Sequence, residues 1–373
     1  MVIKTEILKK YGNIILQAVD SNELSLLTET LELKTENGYL YLSVTNKEYF
    51  AQVKLGLNQA ENLHATVNAN LFLKLVSQIT TGDIELTIKD NSLMVKGNGV
   101  YKLPLIFEGN ELLKLPEIKI NNITNEFDID SSILNSILQY NSKELLKGTI
   151  SRPVQRLYYV DEKGAITFTS GACVNNFNLS QPIRILLNDK IVKLFKLFQN
   201  TAVHTTLGHD PISDTIIQTK IKFETNDIVL TAIISCDDTL LNSVPVNAIR
   251  GRVSNNYPYS INLDKDALMQ TINRLMLFNS GNGAKEILKP YSTFEFNTDS
   301  VRIYDANKVN SEVISYTNTL MNESYTAIFD LVDLKSTLDT CSEKYLTLNF
   351  GDGQAAVLAR GNVYNVIPEV KSI

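Results

Sequence analysis

A short helix introduced by a capping residue recurs at three distant places in this chain, after Asn68, Asn188 and Asp330. Asn and Asp favour such positions because their side-chain oxygens accept from backbone N–H groups left free in a first helical turn. The fullest instance is Ile183–Asn200, where an apolar strand leads into Asn188-Asp189. At about 100° per residue, Ile191, Leu194, Phe195 and Phe198 then share one face. Lys190, Lys193 and Lys196 share a neighbouring face with no acid among them. A single helix of this kind reads as an ordinary solvated surface helix. Three of them, separated by roughly a domain length and too far apart for a solenoid, constrain the chain to repeated units.

Taken in order, the chain repeats one pattern of strand, helix and three strands. Thr5–Asp20 reads as a helix, with Lys9 and Lys10 off its apolar side. Leu31–Lys34, Gly38–Val44 and Tyr49–Leu57 read as strands parted by turns. The second copy is His64–Val67, a helix Ala69–Ile79 carrying Lys74, then Asp83–Ile88, Leu93–Lys96 and Val100–Ile106. Glu111–Asn125 reads as a linker. The pattern restarts with a helix at Ser131–Gln139, a segment carrying Lys143 and Lys147, and three strands. After the Ile183–Asn200 unit, Gly208–Asp214 reads as an enlarged turn. A third pass brings the helices Lys265–Phe278, with Arg274, and Leu331–Thr340, with Lys335. The expected architecture is α+β, with three domains at 1–117, 118–252 and 253–373, each a doubled β-α-β-β-β motif.

The 373 residues carry a net charge of −6, which argues against nucleic-acid binding unless the charge is segregated. Cys173, Cys236 and Cys341 form no Cys-x-x-Cys pair, which points away from disulfides and zinc and towards a reducing cytosol. No apolar run is long enough to span a bilayer and no secretory signal opens the chain, so a cytoplasmic protein is expected.

Three stretches then resemble the bacterial and phage-type beta sliding clamp, the processivity factor of replicative DNA polymerase. Ile84–Ile106, with Leu103-Pro104-Leu105, is similar to the close of that family's first domain. Ser151-Arg152-Pro153-Val154 resembles the Arg-Pro-Val after the first helix of its second. Tyr364-Asn365-Val366-Ile367-Pro368 resembles its terminal hydrophobic-hydrophobic-Met-Pro. The resemblance implies two subunits closing a ring, sheets outside and helices inside. Lys9, Lys10, Lys74, Lys143, Lys147, Arg152, Lys193, Lys196, Arg274 and Lys335 would then face double-stranded DNA, without reading its sequence.

It further implies a groove for short hydrophobic peptides of DNA polymerase and the clamp loader. Thr169 and Gly171 match its wall, Pro245 and Ile249 its lip, and Val366, Ile367 and Pro368 its floor. The family's wall usually reads Thr-Asp-Gly-His-Arg-Leu; here it is Thr169-Ser170-Gly171-Ala172-Cys173-Val174, without the His-Arg pair. For the homodimer interface, Tyr101 on an edge strand matches an aromatic anchor and Leu277-Phe278 its apolar receiver.

Other chemistry finds little support. Gly281–Lys285 lacks the spacing of a phosphate loop. His64, His204 and His209 are too scattered for a metal site. Asp237-Asp238 and Asp128/Asp130 sit where turns and caps explain them. No nucleophile–base arrangement, cofactor or enzymatic activity is expected. A repeat-built, β-rich structural or adhesion protein is the alternative, which leaves the lysines at equivalent helices unexplained.

Overall fold

The computed structural model describes residues 1–20, 25–57, 62–145, 152–213, 217–235, 237–279 and 291–371. The α+β class holds. The chain divides into two compact units: Met1–Asn135 with Leu179–Gln181 and Lys190–Ser235, and Ser136–Asn178 with Pro182–Asp189 and Cys236–Ile373.

The first unit is organised around an eight-stranded antiparallel sheet. Ile123–Asp130, Ala202–Pro211, Ile217–Glu224 and Ile228–Ile234 form one half; Tyr49–Gly56, Tyr39–Thr45, Thr30–Glu36 and His64–Asn68 form the other. Main-chain bonding joins the halves where Leu230 faces Ala51. A four-stranded sheet orders Val2–Lys4, Asp83–Lys89, Ser92–Lys96 and Val100–Pro104, leaving the last as an edge.

Helix α1, Thr5–Leu16, buries Thr5, Leu8, Gly12 and Ile15, the spacing of one helical face. Helix α2, Ala69–Gln78, buries Ala69, Phe72, Leu73 and Val76, and Asn68 caps it by accepting from Leu71 N at 2.9 Å. The two helices pack together at Gly12, where an added Cβ would lie 3.3 Å from Leu73 Cδ2. Helix α3, Ser131–Ser136, is shorter than expected and gives way to a wider π-helical turn at Ile137–Asn141. Helix α4, Asp189–Lys193, tightens into a 3-10 turn over Leu194–Leu197. The expected apolar face is realised: Ile191, Leu194, Phe195 and Phe198 are buried, and Phe195 meets Phe223 edge-to-face at 5.2 Å.

The enlarged turn expected at Gly208 is instead strand as far as Pro211. Asp210 explains the difference. It accepts from Asn121 N at 3.0 Å, Asn122 N at 2.8 Å and Lys220 Nζ at 2.8 Å, drawing the supposed linker against the strand. Gly208 permits that approach, since a Cβ there would stand 2.2 Å from Ile120 Cγ2.

The second unit has a nine-stranded sheet. Its order is Arg184–Asn188, Leu157–Asp161, Gly164–Phe168, Ala172–Asn176, Val363–Pro368, Ala355–Arg360, Tyr345–Phe350, Tyr259–Asp264 and Thr317–Leu320. Ala172 pairs with Val366 and Cys173 with Asn365. Each large sheet thus draws strands from two of the three segments expected from sequence. A four-stranded sheet adds Ser311–Ser315, Ser300–Tyr304, Tyr291–Phe296 and Tyr325–Asp330.

Two helices were missed in the sequence: α5, Asp238–Ser243, and α6, Val246–Val253. Asp237, read there as a turn residue, caps α5 through Thr239 N at 2.6 Å. Helix α7, Lys265–Asn279, packs against α8, Leu331–Leu338, over the core that includes Leu268, Ile272, Leu275, Leu334 and Leu338. Asp330 caps α8 by accepting from Val332 N at 2.8 Å.

Candidate nucleic-acid and peptide-docking surfaces

The cationic residues singled out in the sequence are mostly solvent-facing. In the first unit Lys10, Lys74, Lys193 and Lys196 are exposed and Lys9 half-buried. Lys10 and Lys196, far apart in the chain, line a single cleft of about 420 Å³ with Tyr11, Gln17, Gln199 and Asn226. Tyr11 OH donates to Asp227 Oδ2 at 2.9 Å across it. Burial and that carboxylate push the tyrosine hydroxyl up, so it stays a donor. In the second unit Lys143 and Arg152 are exposed and Lys335 half-buried. Lys147 lies outside the described residues.

Among the described residues, Lys9, Lys10, Lys74, Lys143, Lys196 and Lys335 form no ion pair. Arg274 is different. Its Nε and Nη2 fork onto Glu312 at 2.7 and 2.6 Å, so its charge is already matched and a phosphate would have to displace a carboxylate.

The alternation of the nine-stranded sheet gives the second unit two distinct faces. Ile166, Phe168, Ala172, Val174 and Val366 project to one face and gather Val154, Leu241, Val244 and Ile249 into an apolar cluster. The two missed helices supply Leu241 and Ile249 to it, and Val244 comes from the connection between them. Pro245, exposed, stands between them. Val366 and Ile249 therefore belong to one apolar cluster. Ile367 does not join them: the next residue along a strand points the other way, and it enters the opposite core with Leu334 and Phe350. Gly171 lies against the strand Val363–Pro368, where an added Cβ would stand 2.6 Å from Val366 O and 3.5 Å from Pro368 Cδ.

Thr169 also turns from this face, and its hydroxyl donates to Glu144 Oε2 at 3.5 Å. Beside that apolar core the far face also carries a polar group of residues. Asn141 Nδ2 donates to Thr167 Oγ1 at 3.3 Å and to Cys173 O at 3.3 Å. Cys173, which stands where the related pattern has Arg, is fully buried there, and burial pushes its thiol far up. It is therefore an inert core residue rather than a cation at the groove.

Residues proposed for subunit contact are accessible. Tyr101 lies on the edge strand Val100–Pro104 with 37% exposure, and Leu277 and Phe278 end α7 at 71% and 54%. His204 bonds Asp128 Oδ1 at 3.0 Å on the surface. Among the described residues no group of three His, Cys, Asp or Glu could hold a metal, and no helix is long and apolar enough to cross a membrane.

Doubled strand–helix–strand motifs, packed helix pairs and sheets that run on from one repeat into the next make up the fold of the sliding clamps. More particularly, it is the fold of the bacterial beta clamp, the DNA polymerase III beta subunit, as read from the sequence. The DNA polymerase III subunit beta of Pseudomonas aeruginosa superposes at a TM-score of 0.79 and 15% identity, over 100% of both chains. The DNA polymerase sliding clamp of Bacillus subtilis does so at 0.77 and 12%, over 100% of this chain and 99% of that one. The curated beta sliding clamp of Mycoplasmopsis pulmonis (strain UAB CTIP) is 25% identical over 153 residues, 39% of this chain. That match spans 36% of the relative's own length. No protein-family profile matches the chain.

Proposed function

We propose that this protein is a DNA sliding clamp: two copies close a ring around duplex DNA, slide without reading its sequence and tether a polymerase. The observation that carries this reading is the whole-length likeness to beta clamps, with lysines such as Lys10, Lys74 and Lys335, which form no ion pair among the described residues, on helices at equivalent places in the repeats. Three domains, 1–117, 118–252 and 253–373, form each half-ring. Lys9, Lys10, Lys74, Lys193, Lys196 and Lys335 contact backbone phosphates, with Lys143, Lys147 and Arg152 in weaker support. Such contacts are mobile because they carry no base information, and topology rather than affinity holds the ring in place. Tyr101 on its edge strand meets Leu277 and Phe278 of the second copy. The apolar face around Ile249 and Val366 takes short hydrophobic peptides of a polymerase or clamp loader. The protein catalyses no reaction and works in the cytoplasm.

Sedimentation equilibrium tests the ring. A particle of twice 41.8 kDa is expected, and a monomer across micromolar concentrations overturns the reading.

A further inference from the structure

Two carboxylates hold the turn that ends the groove wall. Ser170 Oγ donates to Asp333 Oδ2 at 2.5 Å. Thr169 Oγ1 and Thr337 Oγ1 donate to the two oxygens of Glu144, at 3.5 and 3.2 Å. Asp333 and Thr337 are four residues apart on α8, so one helical face receives both links.

Behind Glu144 lies an incompletely paired cation. Arg360 is only 5% exposed. Its Nη2 donates to Asn365 Oδ1 at 2.5 Å and its guanidinium stands 5.0 Å from the Tyr140 ring centroid. Among the described residues its Nε and Nη1 have no hydrogen-bond partner, nor has Asn365 Nδ2. A buried guanidinium without a carboxylate is strongly unfavourable. Glu144 supplies a carboxylate within its electrostatic reach, and its oxygens are engaged by the two threonines. Glu144 therefore has two competing sets of partners.

We infer that Glu144 is a positioning residue of the groove: bonded to Thr169 and Thr337 it holds the wall turn 169–171 against α8, and by turning to Arg360 it releases that turn. The consequence for peptide binding rests on the groove reading above; the hold on the wall does not. Among the described residues the groups facing Glu144 are Asp333 and Thr337 from α8, Arg360 from its strand, and Thr169 and the neutral Cys173 thiol from the wall. Burial pushes the Glu144 carboxyl up; the Thr337 hydroxyl opposes this, Asp333 adds to it, and Thr169 and Arg360 oppose it further. Protonation weakens the two hydroxyl bonds to neutral hydrogen bonds but removes the ionic attraction to Arg360 altogether, so acid favours the held wall and alkali the released one.

The test is hydrogen exchange at the Thr169 to Cys173 amides, corrected for intrinsic rates, in the whole protein between pH 5.5 and 8.5. E144A is expected to exchange at least tenfold faster than wild type. E144Q, which keeps both hydroxyl links but has no charge, is expected to match the acid form of wild type at every pH. R360M should slow wall exchange at pH 8.5. Should E144A unfold, the E144Q profile decides alone. Wild-type exchange rates in E144A, or a wild-type pH profile in E144Q, would overturn the assignment. A synthetic nine-residue peptide with two leucines and a terminal phenylalanine separates the two readings. If wall exchange responds as expected and the peptide binds neither wild type nor E144Q, Glu144 stands and the groove reading fails.

Discussion

Arg250 and Asp161 meet as a two-pronged ion pair, Nη1 to Oδ2 and Nη2 to Oδ1, both at 2.7 Å. Arg250 follows Ile249 on α6, and Asp161 ends the strand Leu157–Asp161. The fork therefore fixes the lip of the apolar face to the sheet beneath it. Planar, two-point pairing is the geometry in which Arg and carboxylate bind best. The Asp161 side chain is 8% exposed, so removing its charge strands Arg250 in a partly buried site.

D161N is expected to destabilise the fold by about 1–3 kcal/mol, the range for a charged hydrogen-bonded pair. Differential scanning calorimetry checks this. R250A should do similar damage. The double variant should fall short of the sum, because both single changes break one interaction.

G171A tests the seam between wall and floor. The new Cβ would sit 2.6 Å from the Val366 carbonyl, a backbone atom already held in a ladder. Overpacking of this kind costs about 1–3 kcal/mol. A lowered melting temperature with weakened peptide binding is expected. An equivalent alanine at Gly251, which has open space around it on α6, serves as the control, with no loss expected and a gain of up to about 1 kcal/mol from helix propensity.

Asp210 provides a pH-dependent tether. The Lys220 ammonium is the main cause that holds its carboxyl below the ordinary aspartate value, and the Asn122 and Asn121 amides add to the effect. A depressed acid stabilises the fold above the unfolded value of 3.8, and that contribution is lost as pH falls through the depressed one. Corrected for intrinsic rates, the protection of the Asn121 and Asn122 amides should be high at neutral pH and fall below about pH 4. In D210N it should be low throughout.

Much of this organisation was legible in the sequence because it rests on local rules. The caps Asn68 and Asp330, the strand periodicity and the buried face of Ile191, Leu194, Phe195 and Phe198 each follow from neighbouring residues. What escaped depends on distant ones. Asp210 extends its strand by binding Asn121 and Asn122, which no window around Gly208 contains. Arg274 looks like a free cation until Glu312 is brought beside it. Helices α5 and α6 are short, and only the Asp237 cap marks them locally. Thr169 and Ile367 fit the related pattern by position, yet strand alternation sends both side chains away from the apolar face.

In the proposed clamp, the cleft lined by Lys10 and Lys196 is one place where the protein meets the DNA backbone. Removing one lysine from a backbone phosphate should lower the slope of log affinity against log salt by about 0.9. K10A/K196A is therefore expected to flatten that slope by about 1–2 and to speed diffusion along duplex DNA. Fluorescence anisotropy over a salt series and single-molecule tracking check the two effects. R274A, whose charge is matched by Glu312, should change neither by a comparable amount.

The central claim is that the protein holds DNA by encircling it. The direct measurement is retention on a nicked circular duplex in high salt, after loading with ATP and the clamp loader of the same source, before and after the circle is cut. The account predicts a stable complex that is lost within minutes of linearisation. Equal retention on circle and line, or loss from both at the same rate, would contradict it.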